Sequence, residues 1–212
     1  MMTATLAPDP AVAVPARRWL ALPIGLVLGL ILGVLARLWM RLISDNPEFS
    51  WAGTIFIVTA FGLFGTAQGL SWAARRSGWP RRWVTVARVG AAVLTLPLFT
   101  GSGSIMLPTV LTASLASWRT DWPRWTRVLA GLLALPVTAL VVNGIADEFG
   151  WGVHALAGIV AFLAIYAVVV VALRPTVAPL PDGWRLLRKG RVLLIAGAVV
   201  AAALLAAALR GA

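Results

Sequence analysis

Long apolar runs alternate with short polar gaps along most of this chain. The runs fall at about 19–41, 51–74, 83–100, 104–118, 125–146, 152–173 and 192–209. A helix of roughly 20 apolar residues crosses a hydrocarbon core of about 30 Å. The pattern therefore predicts an all-α integral membrane protein of about seven transmembrane helices. One bundle would cover 17–212, preceded by a Pro/Ala-rich tail, 1–16, expected to be disordered.

Residues 83–118 are the difficult stretch, because they form a single apolar run broken only by Pro97, Pro108 and Gly101-Ser102-Gly103-Ser104. As one helix it would rise about 54 Å, far more than the core needs. Splitting it at the Gly-Ser tetrad gives two spans. It also returns the chain to the same side for the basic gap from Arg119 to Arg127. A tilted span plus a re-entrant segment is the alternative; backbone at that depth must be buried in protein or line a cavity.

Glycines mark the first two spans. Gly25, Gly29 and Gly33 recur every four residues, which places them on one helix face, and Gly65 and Gly69 repeat the step in the second span. Small residues at this spacing let two backbones approach closely in lipid, so these two helices are expected to pack as a tight hairpin.

Composition agrees with the runs. Hydrophobic residues make up 60% of the chain and charged residues 12%, with mean hydropathy +0.92. A soluble domain carries about a quarter charged residues. The net charge of +11 sits in the gaps between runs. That placement fits orientation signals and anionic lipid headgroups, and excludes a nucleic-acid interface, which needs a basic face in water. If basic gaps stay inside, all of the 18 basic residues except Arg37, Arg41 and Arg210 are cytoplasmic. Asp45, Glu48, Asp147 and Glu148, four of the seven acids, then lie outside. All 11 Trp fall near run ends, where amphipathic rings favour the headgroup level. The expected location is a plasma (inner) membrane, with the N-terminus cytoplasmic and the C-terminus exterior.

The residue inventory removes several chemistries. There is no Cys, hence no disulfide or thiolate metal site. The lone His cannot supply a bis-His haem, and the lone Lys, Lys189, lies in a polar gap rather than in the bundle where a retinal Schiff base would need it. No cofactor or metal is expected. Clustered carboxylates for Mg²⁺-pyrophosphate chemistry and a Gly-x-Ser-x-Gly elbow are both missing, so a lipid-modifying enzyme is the least favoured class.

A second pattern suggests internal duplication. Glu48-Phe49-Ser50-Trp51 matches Glu148-Phe149-Gly150-Trp151, and Gly78-Trp79 matches Gly183-Trp184. Spans one to three would then correspond to spans five to seven as parallel repeats joined by a linking helix. That plan is analogous in span count to the SWEET sugar transporters. Their Pro-Gln signature is absent, since Leu98 follows Pro97 and Val137 follows Pro136.

The candidate site lies at the acidic breaks. Arg37 and Arg41 share a helix face one turn apart, and Arg37 is about 6 Å deeper. A charge at that depth pairs with other charges or faces water. Asp45, Glu48, Asp147 and Glu148 are the available counter-charges, and His154 is the one residue of the type suited to proton coupling near neutral pH. Two readings follow. In one, these residues are salt bridges and caps, with Asp45 capping the second span and Asp147-Glu148 favouring the start of the sixth. In the other, they form an outward-facing charged site for a cation or proton. The leading expectation is small-solute or ion permeation. The alternative is a non-catalytic scaffold, forming a homo-oligomer or binding a membrane partner through its glycine faces.

Overall fold

The computed structural model describes residues 19–44, 50–100 and 106–180. The expected tail 1–16, the last span 192–209, the Gly-Ser tetrad, Asp45 and Glu48 lie outside those residues. Every regular element among the described residues is helical, and five helices are long and apolar enough to cross a membrane. They are α1 (Ala21–Leu42), α2 (Trp51–Arg76), α3 (Arg81–Thr95, extended by a 3-10 turn at Leu96–Phe99), α5 (Arg124–Phe149) and α6 (Val153–Ala172), which continues into the one-turn α7 (Arg174–Val177). Between α3 and α5 lies α4 (Met106–Trp118).

Helix α4 departs from the expected fourth span. Its 13 residues rise about 20 Å, short of a core of about 30 Å. Pro97 and Pro108 lack the N–H groups that would carry a long helix through this stretch, and α3 ends instead in a 3-10 turn.

Packing inside the bundle rests on small residues. Helix α1 buries only Gly29, Leu32, Gly33 and Ala36 and turns Leu28, Val34 and Leu38 outward. In water such exposure would be costly; against lipid tails it is neutral, because the tails are as apolar as leucine. Helix α2 is the central element, burying ten residues that include Phe64, Gln68 and Ser71. A cluster of Leu32, Phe64, Val110, Val169 and Leu173 joins α1, α2, α4 and α6.

Among the described helices the α1–α2 contact is the most extensive. A Cβ on Gly25 would strike the Gly65 carbonyl, one on Gly29 the Phe61 carbonyl, and one on Gly69 the Ala21 carbonyl. The obstacles are backbone atoms, which cannot step aside. The α5–α6 hairpin, which the repeat would equate with α1–α2, makes far fewer contacts. Its turn is made by Gly150 at φ +68, followed by Trp151; Gly78 at φ +67, followed by Trp79, makes the α2–α3 turn. A side chain with a Cβ is strained at either position.

Helix capping also departs from expectation. Ser50 caps α2, its side chain accepting from the Gly53 amide at 3.2 Å, while Asp45 lies outside the described residues. Asp147 and Glu148 lie inside the last turn of α5, which runs on to Phe149, and so precede α6 rather than opening it.

Candidate functional site

The helices alternate in direction, so the bundle has two ends. One carries Arg75, Arg88, Arg119 and Arg174. The other carries Arg37, Asp147, Glu148 and His154.

At the second end the expected site residues are held by backbone and hydroxyl partners. Arg37 donates from Nε to Thr54 Oγ1 at 3.1 Å, and Thr54 in turn donates to the Ser50 carbonyl at 2.9 Å. This joins the end of α1 to the start of α2. His154 Nε2 lies 2.7 Å from the Leu42 carbonyl, and its ring stands 4.8 Å from that of Phe149. Trp39, which the sequence marks only as an interfacial ring, donates from Nε1 to the Gly158 carbonyl at 2.8 Å and stacks on Phe162. Arg41, Asp147 and Glu148 are exposed. Within this end the structure brings together Arg37 with Thr54 and His154 with Leu42. The two grooves described below are lined by none of Arg37, Arg41, Asp147, Glu148 or His154.

The basic end is a clamp that the sequence did not reveal. The chain segment after α6 is gripped through its carbonyls. Arg75 donates to Pro175, Ala178 and Pro179 at 3.2, 2.9 and 2.8 Å. Arg88 donates to Thr176 and Ala178, its Nε–O distance to Thr176 being 2.8 Å. Buried Arg119 pairs with Asp121 at 2.8 Å. Carbonyls accept these hydrogen bonds without cancelling the charge, so the end stays strongly positive. Beneath the clamp Thr176 Oγ1 donates to Gln68 Oε1 at 2.6 Å, and Gln68 Nε2 donates to Thr95 Oγ1 at 3.4 Å. Gln68 thus spends both polar atoms tying α2 to α3 and α7. The signal that could have exposed the clamp was Arg88, seven positions inside an apolar helix.

Beside α2 runs an open groove of about 580 Å³, walled by α1 and α6. Ile24, Leu28 and Leu35 form one wall, Gly65, Gly69 and Trp72 the floor, and Val168 and Ala172 the other wall. Its lining positions on α1, Ala21 to Leu35, span about 21 Å of helix. The paired glycines explain the shape: they bring α1 and α2 into backbone contact and leave no side chains to fill the cleft beside that contact. A second, smaller cavity of about 100 Å³ lies between Trp39, Phe61, Phe99 and Tyr166. Among the described residues there is no cluster of three His, Cys, Asp or Glu suited to a metal ion.

The chain matches no protein-family model, no curated protein and no solved structure. A function therefore has to be argued from these features alone.

Proposed function

We propose that this is a membrane-embedded lipid-binding protein whose side groove admits a hydrocarbon chain from the surrounding bilayer. The observation that carries the reading is the groove itself: about 580 Å³, apolar along its length and partly open to the outside of the bundle. Ligand sites are concave and mostly apolar, with polar groups confined to a few positions. Gln68, the amide in the lining, has its donor and acceptor engaged elsewhere. A hydrocarbon chain would meet a largely apolar lining, whereas a hydrated solute would find little to replace its water.

Permeation through an outward site of Arg37, Arg41, Asp45, Glu48, Asp147, Glu148 and His154 is the second reading. The exposure of Asp147 and His154 at one end favours it. Against it, Arg37 and His154 are engaged in tying helix ends together. The threading we infer keeps seven spans in an inner membrane, with 192–209 as the last and the N-terminus cytoplasmic. The parallel repeat rests on its sequence matches, since α1–α2 interlock and α5–α6 do not.

The test is lipid retention. Protein purified through detergent exchange should carry about one phospholipid per chain by native mass spectrometry. Leu28→Trp, which fills the groove from an exposed position, should remove it without changing the melting temperature. A wild-type chain that retains no lipid, or proteoliposomes whose pH-dependent flux disappears with Asp147→Asn, would replace this reading with permeation.

A further inference from the structure

We infer that the groove is selective for an anionic phospholipid, whose phosphate sits against Arg76 and Arg75 where the groove meets the basic end. The inference rests on the lipid-binding reading above and adds the headgroup.

Three observations converge at that end. First, tryptophans mark the depth. Trp72 lines the groove, and Trp19 and Trp79 approach each other at 6.0 Å between ring centroids beside the start of α1. Tryptophan rings concentrate where lipid headgroups begin. A chain lying along Ala21 to Leu35 would therefore put its headgroup here and its tail toward mid-bundle. Second, charge is concentrated at this mouth. The Arg76 guanidinium lies 4.4 Å above the Trp72 ring, so one residue of the lining carries a cation directly over it. Arg75, one position earlier, reaches the Pro175 carbonyl, and Pro175 itself lines the groove. Asp121, which lies near this end, is ion-paired with Arg119. Neither Arg75 nor Arg76 is neutralised by it. Third, the groove is a slot, about 580 Å³ drawn out along about 21 Å of α1, a shape that takes a single extended hydrocarbon chain.

The chemistry favours phosphate over other anions. Arginine presents planar donors that match phosphate oxygens, and it is weakly hydrated enough to stay against an aromatic face. A zwitterionic headgroup carries the same phosphate but adds a quaternary or primary ammonium, which Arg75 and Arg76 would repel. Selectivity should accordingly follow net headgroup charge, at about fivefold per arginine near the surface.

The experiment uses the full chain reconstituted in phosphatidylcholine bilayers, with spin-labelled phosphatidylglycerol and spin-labelled phosphatidylcholine as probes. The wild type should show a motionally restricted lipid component with phosphatidylglycerol preferred about fivefold or more. Arg76→Gln should lower the preference about fivefold while the restricted component persists. Leu28→Trp should abolish the restricted component for both lipids. Equal affinity for the two lipids in the wild type, with restriction intact, overturns the headgroup inference and leaves the groove as a chain site. Absence of any restricted component overturns both. A cysteine at Leu28 that cross-links to one placed in 192–209, or to a second copy, would mean that protein covers the groove, and it overturns both as well.

Discussion

Arg88 lies seven residues beyond the start of α3, roughly 10 Å along the axis of a helix that is otherwise suited to lipid. A guanidinium at such a depth is costly unless it is hydrogen-bonded or reaches the interface. Here the carbonyls of Thr176 and Ala178 offset that cost. The arrangement is reciprocal, because those carbonyls follow the end of α6 and have few other donors. Removing the arginine should leave acceptors unsatisfied as well as delete a charge. Arg88→Leu is expected to lower stability by about 3 kcal/mol, given that hydrogen bonds to charged groups contribute about 1.5–3 kcal/mol each and partial exposure reduces the sum. Cleavage by protease within 174–180 should accelerate in parallel. Arg88→Lys keeps a donor and should recover part of the loss. Equal melting temperatures for Arg88→Leu and wild type would mean that the clamp contributes nothing. From sequence alone Arg88 is one more basic residue near a gap, useful for orientation. Its structural role depends on a segment almost ninety positions later, a distance over which residue spacing carries no information.

At the scale of elements, the α1–α2 hairpin separates glycines that matter from glycines that do not. A Cβ on Gly65 would stand 2.9 Å from the Gly29 Cα and closer still to the Gly25 carbonyl, whereas a Cβ on Gly90 meets nothing within 4 Å. Gly65→Ala should therefore push two backbones apart and destabilise by about 1–3 kcal/mol, the usual range for overpacking. Gly90→Ala should stabilise by about 0.5–1 kcal/mol through helix propensity. Paired denaturation measurements in one detergent would check the opposite signs, and the same sign for both would refute the close-contact explanation. The helices themselves were legible beforehand, since their starts and stops follow the apolar runs to within a few residues. So were the four-residue glycine faces, because a helix has one periodicity and lipid rewards small residues on a contact face. The groove was not legible. It is the space three helices leave unfilled, and its third wall, at Val168 and Ala172, comes from the half of α6 that is wholly apolar after Tyr166 and gives no direction. Helix α4 begins within two residues of its expected run, 104–118, and at 13 residues it is short for a span by itself.

For the whole molecule, the positions of the charges and the alternation of the helices make one joint statement about sidedness. The turns at Ser77–Pro80 and Arg119–Pro123 belong to the basic end, and Ser50 and Gly150–Gly152 belong to the other. Arginine-rich segments resist translocation, so the basic end should face the cytoplasm. The chain has no native cysteine, which makes the test direct. In intact cells a membrane-impermeant maleimide should label Gly152→Cys and leave Thr120→Cys unlabelled until the membrane is permeabilised; both positions are exposed. The assignment does not depend on whether the short α4 crosses by itself, because α5 alone separates Thr120 from Gly152, and its 26 residues rise about 39 Å. Labelling of both sites in intact cells would place them on one side and break the link between charge and orientation. The headgroup proposed at Arg75 and Arg76 would then move to the exterior leaflet. Labelling of Thr120→Cys alone would invert the whole bundle, putting the clamp, the tryptophans and the mouth of the groove outside while leaving their relations to one another unchanged.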